Sequence, residues 1–150
     1  MSEGAWIDDG YCFACGPLSP DGLHLHFEPD GEQSVRAEIT LPARFQGWRG
    51  TAHGGIVMML LDEAMAHACG RIGDRAVTAA MELRFRGAVP LGVPLVVRGA
   101  VRWKRRNVIA VEGSVALGDG TLLAGGEGSF VSRGPLGKER YGIPDAIAEA

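Results

Sequence analysis

Ala52-His53-Gly54-Gly55-Ile56-Val57-Met58-Met59-Leu60-Leu61-Asp62-Glu63-Ala64-Met65-Ala66-His67-Ala68 is the stretch whose reading decides the fold. It predicts a helix from about His53 to about Cys69, opened by His-Gly-Gly, with Gly70 as a natural stop. Apolar residues lie nearly all round it, which marks a buried helix. Two acids, Asp62 and Glu63, stand in its middle. A carboxylate buried without a partner is costly. Asp62 is therefore either paired or kept there for chemistry.

The flanking sequence supplies what buries this helix. Residues 1–33, rich in Gly, Pro and Asp, predict an irregular lead-in. Ser34 to Leu41 alternates, with Val35, Ala37, Ile39 and Leu41 on one face of a half-buried strand. Pro42 to Ala52 reads as a loop. After the helix come four strand-like runs: Ala76–Arg86, Val93–Lys104, Asn107–Leu117 and Thr121–Ser132, the last two joined by the turn Gly118-Asp119-Gly120. Gly125, Gly126 and Gly128 leave part of one strand face bare, so a helix or a partner backbone approaches it closely. Residues 34–132 are thus expected to form one α+β domain, an antiparallel β-sheet with one long apolar helix laid across it, and residues 133–150 a peripheral tail. A thin sheet cannot cover an all-round apolar helix, so a partner chain is expected to complete its burial.

Composition bounds the function. At 150 residues the chain is most simply one domain with its own core. A net charge of -3 gives no reason to expect nucleic acid or an anionic membrane as partner. No apolar run is long enough to span a bilayer, and the first ten residues lack the pattern of a secretory signal. Three cysteines without such a signal predict reduced thiols and a cytoplasmic protein.

Gly54 and Gly55 stand where the first helical turn begins. Its amide N–H groups have no intrahelical acceptor and sit at the positive end of the helix dipole. Without side chains, a thioester or ester carbonyl oxygen can reach them. The bland alternative is that both glycines only permit a tight turn. Asp62 lies seven residues beyond Gly55, about 10 Å along the axis. The two cannot act on one carbonyl within a chain, whereas antiparallel helices from two chains could bring them together. Met58, Met59, Met65, Ala66 and Cys69 fall on or near the Asp62 face, as lining for an acyl group or as core. Glu63 points about 100° away and is expected to pair with His67 at i+4. His53 either polarises the carbonyl or holds the turn.

Phe45-Gln46-Gly47-Trp48-Arg49-Gly50-Thr51-Ala52-His53-Gly54-Gly55, with Asp62 on the helix and Val77-Thr78-Ala79 on the next strand, resembles the hotdog-fold acyl-CoA thioesterases, of the phenylacetyl-CoA thioesterase type. The resemblance runs from about Tyr11 to Ser132, and Cys12-Phe13-Ala14-Cys15-Gly16-Pro17 is similar to a lead-in of many such proteins. It implies a homodimer or dimer of dimers acting on acyl-CoA. In that family the amides of Gly54 and Gly55 hold the thioester oxygen with His53 alongside. The resemblance makes the partner's Asp62 the base or nucleophile, and Thr78 the residue that positions water. Some members place an auxiliary Asn in the loop before His-Gly-Gly; here that loop offers Gln46, Gly47 and Trp48, so the role is unfilled or falls to Gln46. By strand alternation Thr78 stands opposite Val77, Ala79 and Met81, so it is expected to point toward the interface rather than the helix. Arg105 and Arg106, beside Lys104, lie at a strand corner that in the family is near the CoA phosphates; a solvated turn is the alternative.

Cys12 and Cys15 with His24 and His26 spell Cys-x2-Cys-x8-His-x-His. Zinc needs four converging ligands, and two histidines one residue apart are an unusual second pair, so no metal or other cofactor is expected. No Gly-x-Ser-x-Gly, Walker or dinucleotide motif is present. The expected activity is hydrolysis of a medium-chain or aromatic acyl-CoA, with Gln46, Trp48, Met58, Met59, Arg105 and Arg106 contacting substrate. The competing functions are a non-catalytic acyl-CoA-binding protein and an enoyl-CoA hydratase or dehydratase of the same fold.

Overall fold

A computed structural model describes residues 8–136. In chain order the elements are β1 (Glu28–Pro29), β2 (Ser34–Thr40), a short 3-10 helix (Ala43–Phe45), α1 (Gly54–Arg71), β3 (Asp74–Phe85), β4 (Pro94–Arg105), β5 (Val108–Leu117) and β6 (Leu122–Pro135). The strands form one antiparallel sheet in the order β1-β2-β4-β5-β6-β3. The sheet curls round α1, which packs on β2, β3, β4, β5 and β6. This is the α+β hotdog arrangement, with β3 left as a long edge strand.

The helix approaches the sheet closely because glycines let it. A Cβ on Gly99 of β4 would run into the carbonyl oxygen of Ala64, so the helix backbone lies directly on that strand. Gly113 of β5 pairs with Gly99 and takes the Met65 methyl, 3.2 Å from where its Cβ would be. A Cβ on Gly128 of β6 would sit 2.9 Å from Met65 Sδ. The bare face foreseen on β6 is thus filled by Met65 at Gly128, while Gly126 admits the Glu82 backbone of its neighbour β3. Leu60, Leu61, Ala64, Met65 and Ala68 are fully buried against Val97, Ile109, Val111 and Phe130. Each large apolar side chain so enclosed contributes about 1.5–3 kcal/mol.

Several sequence boundaries shift. Gly70 does not stop α1: the helix runs on to Arg71 with Ile72 as C-cap, and the left-handed residue is Gly73 at φ +86°. Gly70 is instead a packing position, where a Cβ would meet a Leu136 methyl at 3.2 Å. β6 continues past Ser132 to Pro135, because Pro135 pairs with Asp74 of β3. The Gly-Asp-Gly hairpin forms as expected, with Asp119 Oδ1 accepting from Thr121 N at 2.9 Å and Gly120 at φ +93°. The described lead-in before Glu28 holds neither helix nor strand. Residues 1–7 of the lead-in and 137–150 of the tail lie outside the described residues.

Candidate active site

His53 is positioned by a closed loop. Gln46 and Ala52 form an isolated bridge, His53 N donates to Phe45 O at 2.9 Å, and Ala52 N donates to Val89 O at 2.8 Å. The loop presents His53 as the helix N-cap: its Nδ1 accepts from Gly55 N at 2.9 Å. The imidazole therefore takes up one orphan donor of the first turn, as N-cap side chains do. This is the turn-holding role, and it makes Nδ1 the unprotonated nitrogen, leaving Nε2 as the donor on the exposed side. Among the described residues the Gly54 N–H has no acceptor, and a Cβ at Gly54 would meet nothing within 4 Å. Gly54 is thus the open amide at the helix end, and Gly55 the capped one.

Asp62 is half-buried two turns further along α1. Thr78 Oγ1 donates to its Oδ1 at 2.5 Å. This overturns the expectation that Thr78 faces away from the helix. A β-bulge is the reason: Thr78 pairs with Phe130 and Ala80 with Ser129, so Ala79 is an extra residue. The bulge resets the alternation, and Thr78 joins Met81 on the helix side, opposite Gly128. Burial pushes the Asp62 carboxyl above its ordinary range; the Thr78 hydrogen bond pulls it back, and the charge of Glu63 adds to the rise. Among the described residues no cation pairs with Asp62.

The other candidates divide. Met58 (42% exposed) and Trp48 (87% exposed) stand out into solvent at the same end of the helix, and Met59 is partly covered. Met65 and Cys69 are core, which removes them from any acyl lining, and Phe45 is buried as well. Gln46 Oε1 accepts from Gly50 N at 3.0 Å and so braces the loop. At the basic corner, Lys104 is bound to Asp74 at 2.7 Å, Arg105 lies over the Trp103 ring at 5.1 Å, and Arg106 takes the left-handed conformation of the turn at φ +55°. Asp74, a buried acid that sequence reasoning missed, also accepts from Ser132 Oγ at 2.8 Å. Its partners lie 30 and 58 residues away, so no local spacing could mark it.

On the other side of α1, Glu63 Oε2 lies 3.4 Å from His67 Nε2, the expected i+4 pair, and Phe27 stacks on that ring. Glu63 Oε1 lies 3.9 Å from Cys12 Sγ. Cys15 holds the Cys12 thiol down to about 6 by hydrogen bonding, against burial and the Glu63 charge, and the Cys15 thiol is pushed far up. His24 Nε2 instead meets the Ser19 carbonyl. A cavity of about 650 Å³ opens elsewhere, among Glu82, Arg84, Arg98, Glu112 and Glu127, and no candidate residue lines it.

The fold and the helix-borne pair stand beside a match at the level of a family. Residues 49–124 match the thioesterase superfamily model, about half of the chain, and the chain belongs to that superfamily. Solved structures similar to this chain share the fold. A thioesterase superfamily protein has 29% identity and a TM-score of 0.77 over 81% of this chain, which spans only 60% of that protein's length. The PaaI protein from the phenylacetic acid degradation operon of E. coli has 22% identity and a TM-score of 0.70, over 75% of this chain and 82% of the other. A hypothetical thioesterase from Streptococcus pneumoniae, solved with coenzyme A, has 17% identity and a TM-score of 0.70, over 74% and 90%. That protein was also solved with an Asp replaced by Ala and, separately, with a Thr sixteen residues further on replaced by Ala. No curated protein matches the chain. Among the described residues no helix is long and apolar enough to cross a membrane.

Proposed function

We propose that this chain is an acyl-CoA thioesterase, and that the Thr78–Asp62 hydrogen bond is the observation that carries the proposal. Asp62 and Thr78 are sixteen residues apart, the spacing of the two residues replaced in the Streptococcus pneumoniae protein. Thr78 occupies Oδ1 of Asp62, so Oδ2 is the oxygen left for water. A half-buried carboxylate with no cation beside it is a stronger base than an exposed one. Asp62 takes a proton from water, the hydroxide attacks the thioester carbon, and the C–S bond breaks to give the acid and the CoA thiol. Attack by Asp62 itself starts from the same oxygen and passes through a mixed Asp62–acyl anhydride; label found in Asp62 after a single turnover in ¹⁸O-water, from water attacking the Asp62 carboxyl carbon, would mark that route. The growing negative charge on the carbonyl oxygen is met by Gly54 N–H, with Gly55 joining when His53 yields it.

The reading requires two chains. Within one chain Asp62 stands about 12 Å along the helix from the open amide of Gly54. The exposed β3 edge supports pairing with a second β3, which sets the two α1 helices antiparallel and each Asp62 near the partner's Gly54. Trp48, Met58 and Met59 would then line the path of a medium-chain or aromatic acyl group, and Arg105 and Arg106 the CoA phosphates. A cytoplasmic setting belongs to the same proposal.

Complementation tests the composite site. Gly54→Val blocks the open amide in a place with room for the side chain. Asp62→Asn chains and Gly54→Val chains should each be inactive. Mixed and allowed to exchange, they should recover about a quarter of the wild-type rate, from the one intact site in each heterodimer. No recovery in verified heterodimers would sink the two-chain site.

A further inference from the structure

We propose that Cys12, Cys15 and Glu63 form a zinc site that fastens the irregular lead-in to helix α1. The ligand atoms of these three residues lie within 4.8 Å of one another, although Cys12 and Glu63 are 51 residues apart in the chain. In a tetrahedral zinc site with Zn–S near 2.3 Å and Zn–O near 2.1 Å, ligand atoms stand about 3.6–3.8 Å apart. The Cys12 Sγ to Glu63 Oε1 distance, 3.9 Å, is already close to that spacing. A small contraction of the rest completes it.

The local sequence is built to present the two sulfurs together. Gly16 N donates to Cys12 O at 2.8 Å, and Cys15 N approaches Cys12 Sγ at 3.5 Å, so the turn wraps the first sulfur. Gly16 is obligatory there: a Cβ would strike the Cys12 and Gly10 backbones. The third ligand comes from the helix. Glu63 turns one oxygen to the cysteines and gives the other to His67, 3.4 Å away. Histidine on the outer oxygen of a ligand carboxylate is a familiar orienting contact. Phe27, stacked on His67 with ring centroids 4.7 Å apart, walls that side. The fourth position is left to water.

The chemistry favours an ion of intermediate softness. Two sulfurs and one carboxylate oxygen suit zinc and fit poorly the all-oxygen shells of calcium or magnesium. Without a cation, the Cys12 thiol is turned to Glu63 Oε1. With zinc, the two sulfurs and that oxygen become its ligands. The lead-in also needs fastening: between Asp8 and Phe27 it has no helix or strand, and it anchors through few apolar side chains, among them Ala14, Leu23 and Leu25. Joining it to α1 through a metal closes a long loop in the folded state. The ligand set also departs from the one spelled by the sequence, since His24 is turned to Ser19 and neither His24 nor His26 is in the group.

The test uses the untagged full chain, purified under reductant, equilibrated with Zn²⁺, desalted and assayed for metal by mass spectrometry. The expected result is one zinc per chain, lost in Cys12→Ser, Cys15→Ser and Glu63→Gln, and retained in His26→Ala. His67→Ala should weaken binding about 10–100-fold. Co²⁺ in place of Zn²⁺ should give the near-ultraviolet charge-transfer band of a cobalt thiolate, a readout that needs no variant to fold. Zinc at background with both thiols free by titration, or no thiolate band from cobalt, would overturn the proposal. A Cys12–Cys15 disulfide forming in place of retained metal would overturn it too, and make the pair a redox couple instead.

Discussion

Asp62 and Glu63 are chain neighbours on one helix, yet they serve two different regions of the molecule. A single residue step turns the side chain about 100°. Asp62 faces the edge strand β3, where its partner is the Thr78 hydroxyl. Glu63 faces the lead-in, where its neighbours are His67 and Cys12. The first carboxylate is left with a neutral donor and solvent, an arrangement suited to taking a proton. The second is bracketed by a histidine and two sulfurs, an arrangement suited to holding something in place. Burial along α1 is shared; the side chains opposite each acid decide its use.

The largest expected effect comes from breaking the Asp62 side alone. Asp62→Asn should lower kcat by about 10²–10⁴-fold, the usual worth of a general base, with an unchanged circular dichroism spectrum. A variant that unfolds would instead make Asp62 a structural acid. The same change sharpens the comparison in stability. Burial raises the Asp62 carboxyl above 3.8, so the folded state favours its protonated form. Its contribution to stability therefore falls as pH rises from 3.8 through the raised value. Melting curves of wild type should drop relative to Asp62→Asn across that window; parallel curves would contradict the raised carboxyl.

A smaller loss is expected at Thr78. A hydrogen bond to a charged group contributes about 1.5–3 kcal/mol, so Thr78→Val should cost about 10–150-fold in kcat/KM. It should also move the acid limb of the pH–rate profile upward, because that bond lowers the Asp62 carboxyl. Glu63→Gln should move the same limb downward, since the Glu63 charge raises it. Limbs moving together would break the contrast between the two acids. The smallest effect belongs to the helix end. His53→Ala removes the cap on Gly55 and should cost about 1 kcal/mol in chemical denaturation.

Local pattern carried much of this molecule and failed where tertiary contact decides. The alternation of β2, the Gly118-Asp119-Gly120 turn and the apolar helix are local, and they form where expected. The Glu63–His67 pair is also local, one helical turn long. Strand alternation puts Thr78 on the wrong face because a bulge at Ala79 depends on β3 meeting β6, and no spacing within β3 announces it. Met65 and Cys69 looked available to a substrate until the sheet closed over them. The Cys-x2-Cys turn was visible, but its third neighbour was not, since a helix residue 51 positions on has no sequence link to it. Gly70 alone reads as the helix stop in the sequence, whereas the helix runs to Arg71 and the left-handed φ belongs to Gly73.

The central claim, that Asp62 drives thioester cleavage, is tested most directly by thiol release. Wild type and Asp62→Asn would be followed with a chromogenic thiol reagent across short, medium, long and aromatic acyl-CoAs. The expected result is release by wild type, fastest with a medium-chain or aromatic ester, and loss of that release in Asp62→Asn. Equal rates from the two proteins would contradict the role of Asp62. Tight binding of the esters by a folded wild-type dimer with no thiol released would make this a binding protein and not a hydrolase.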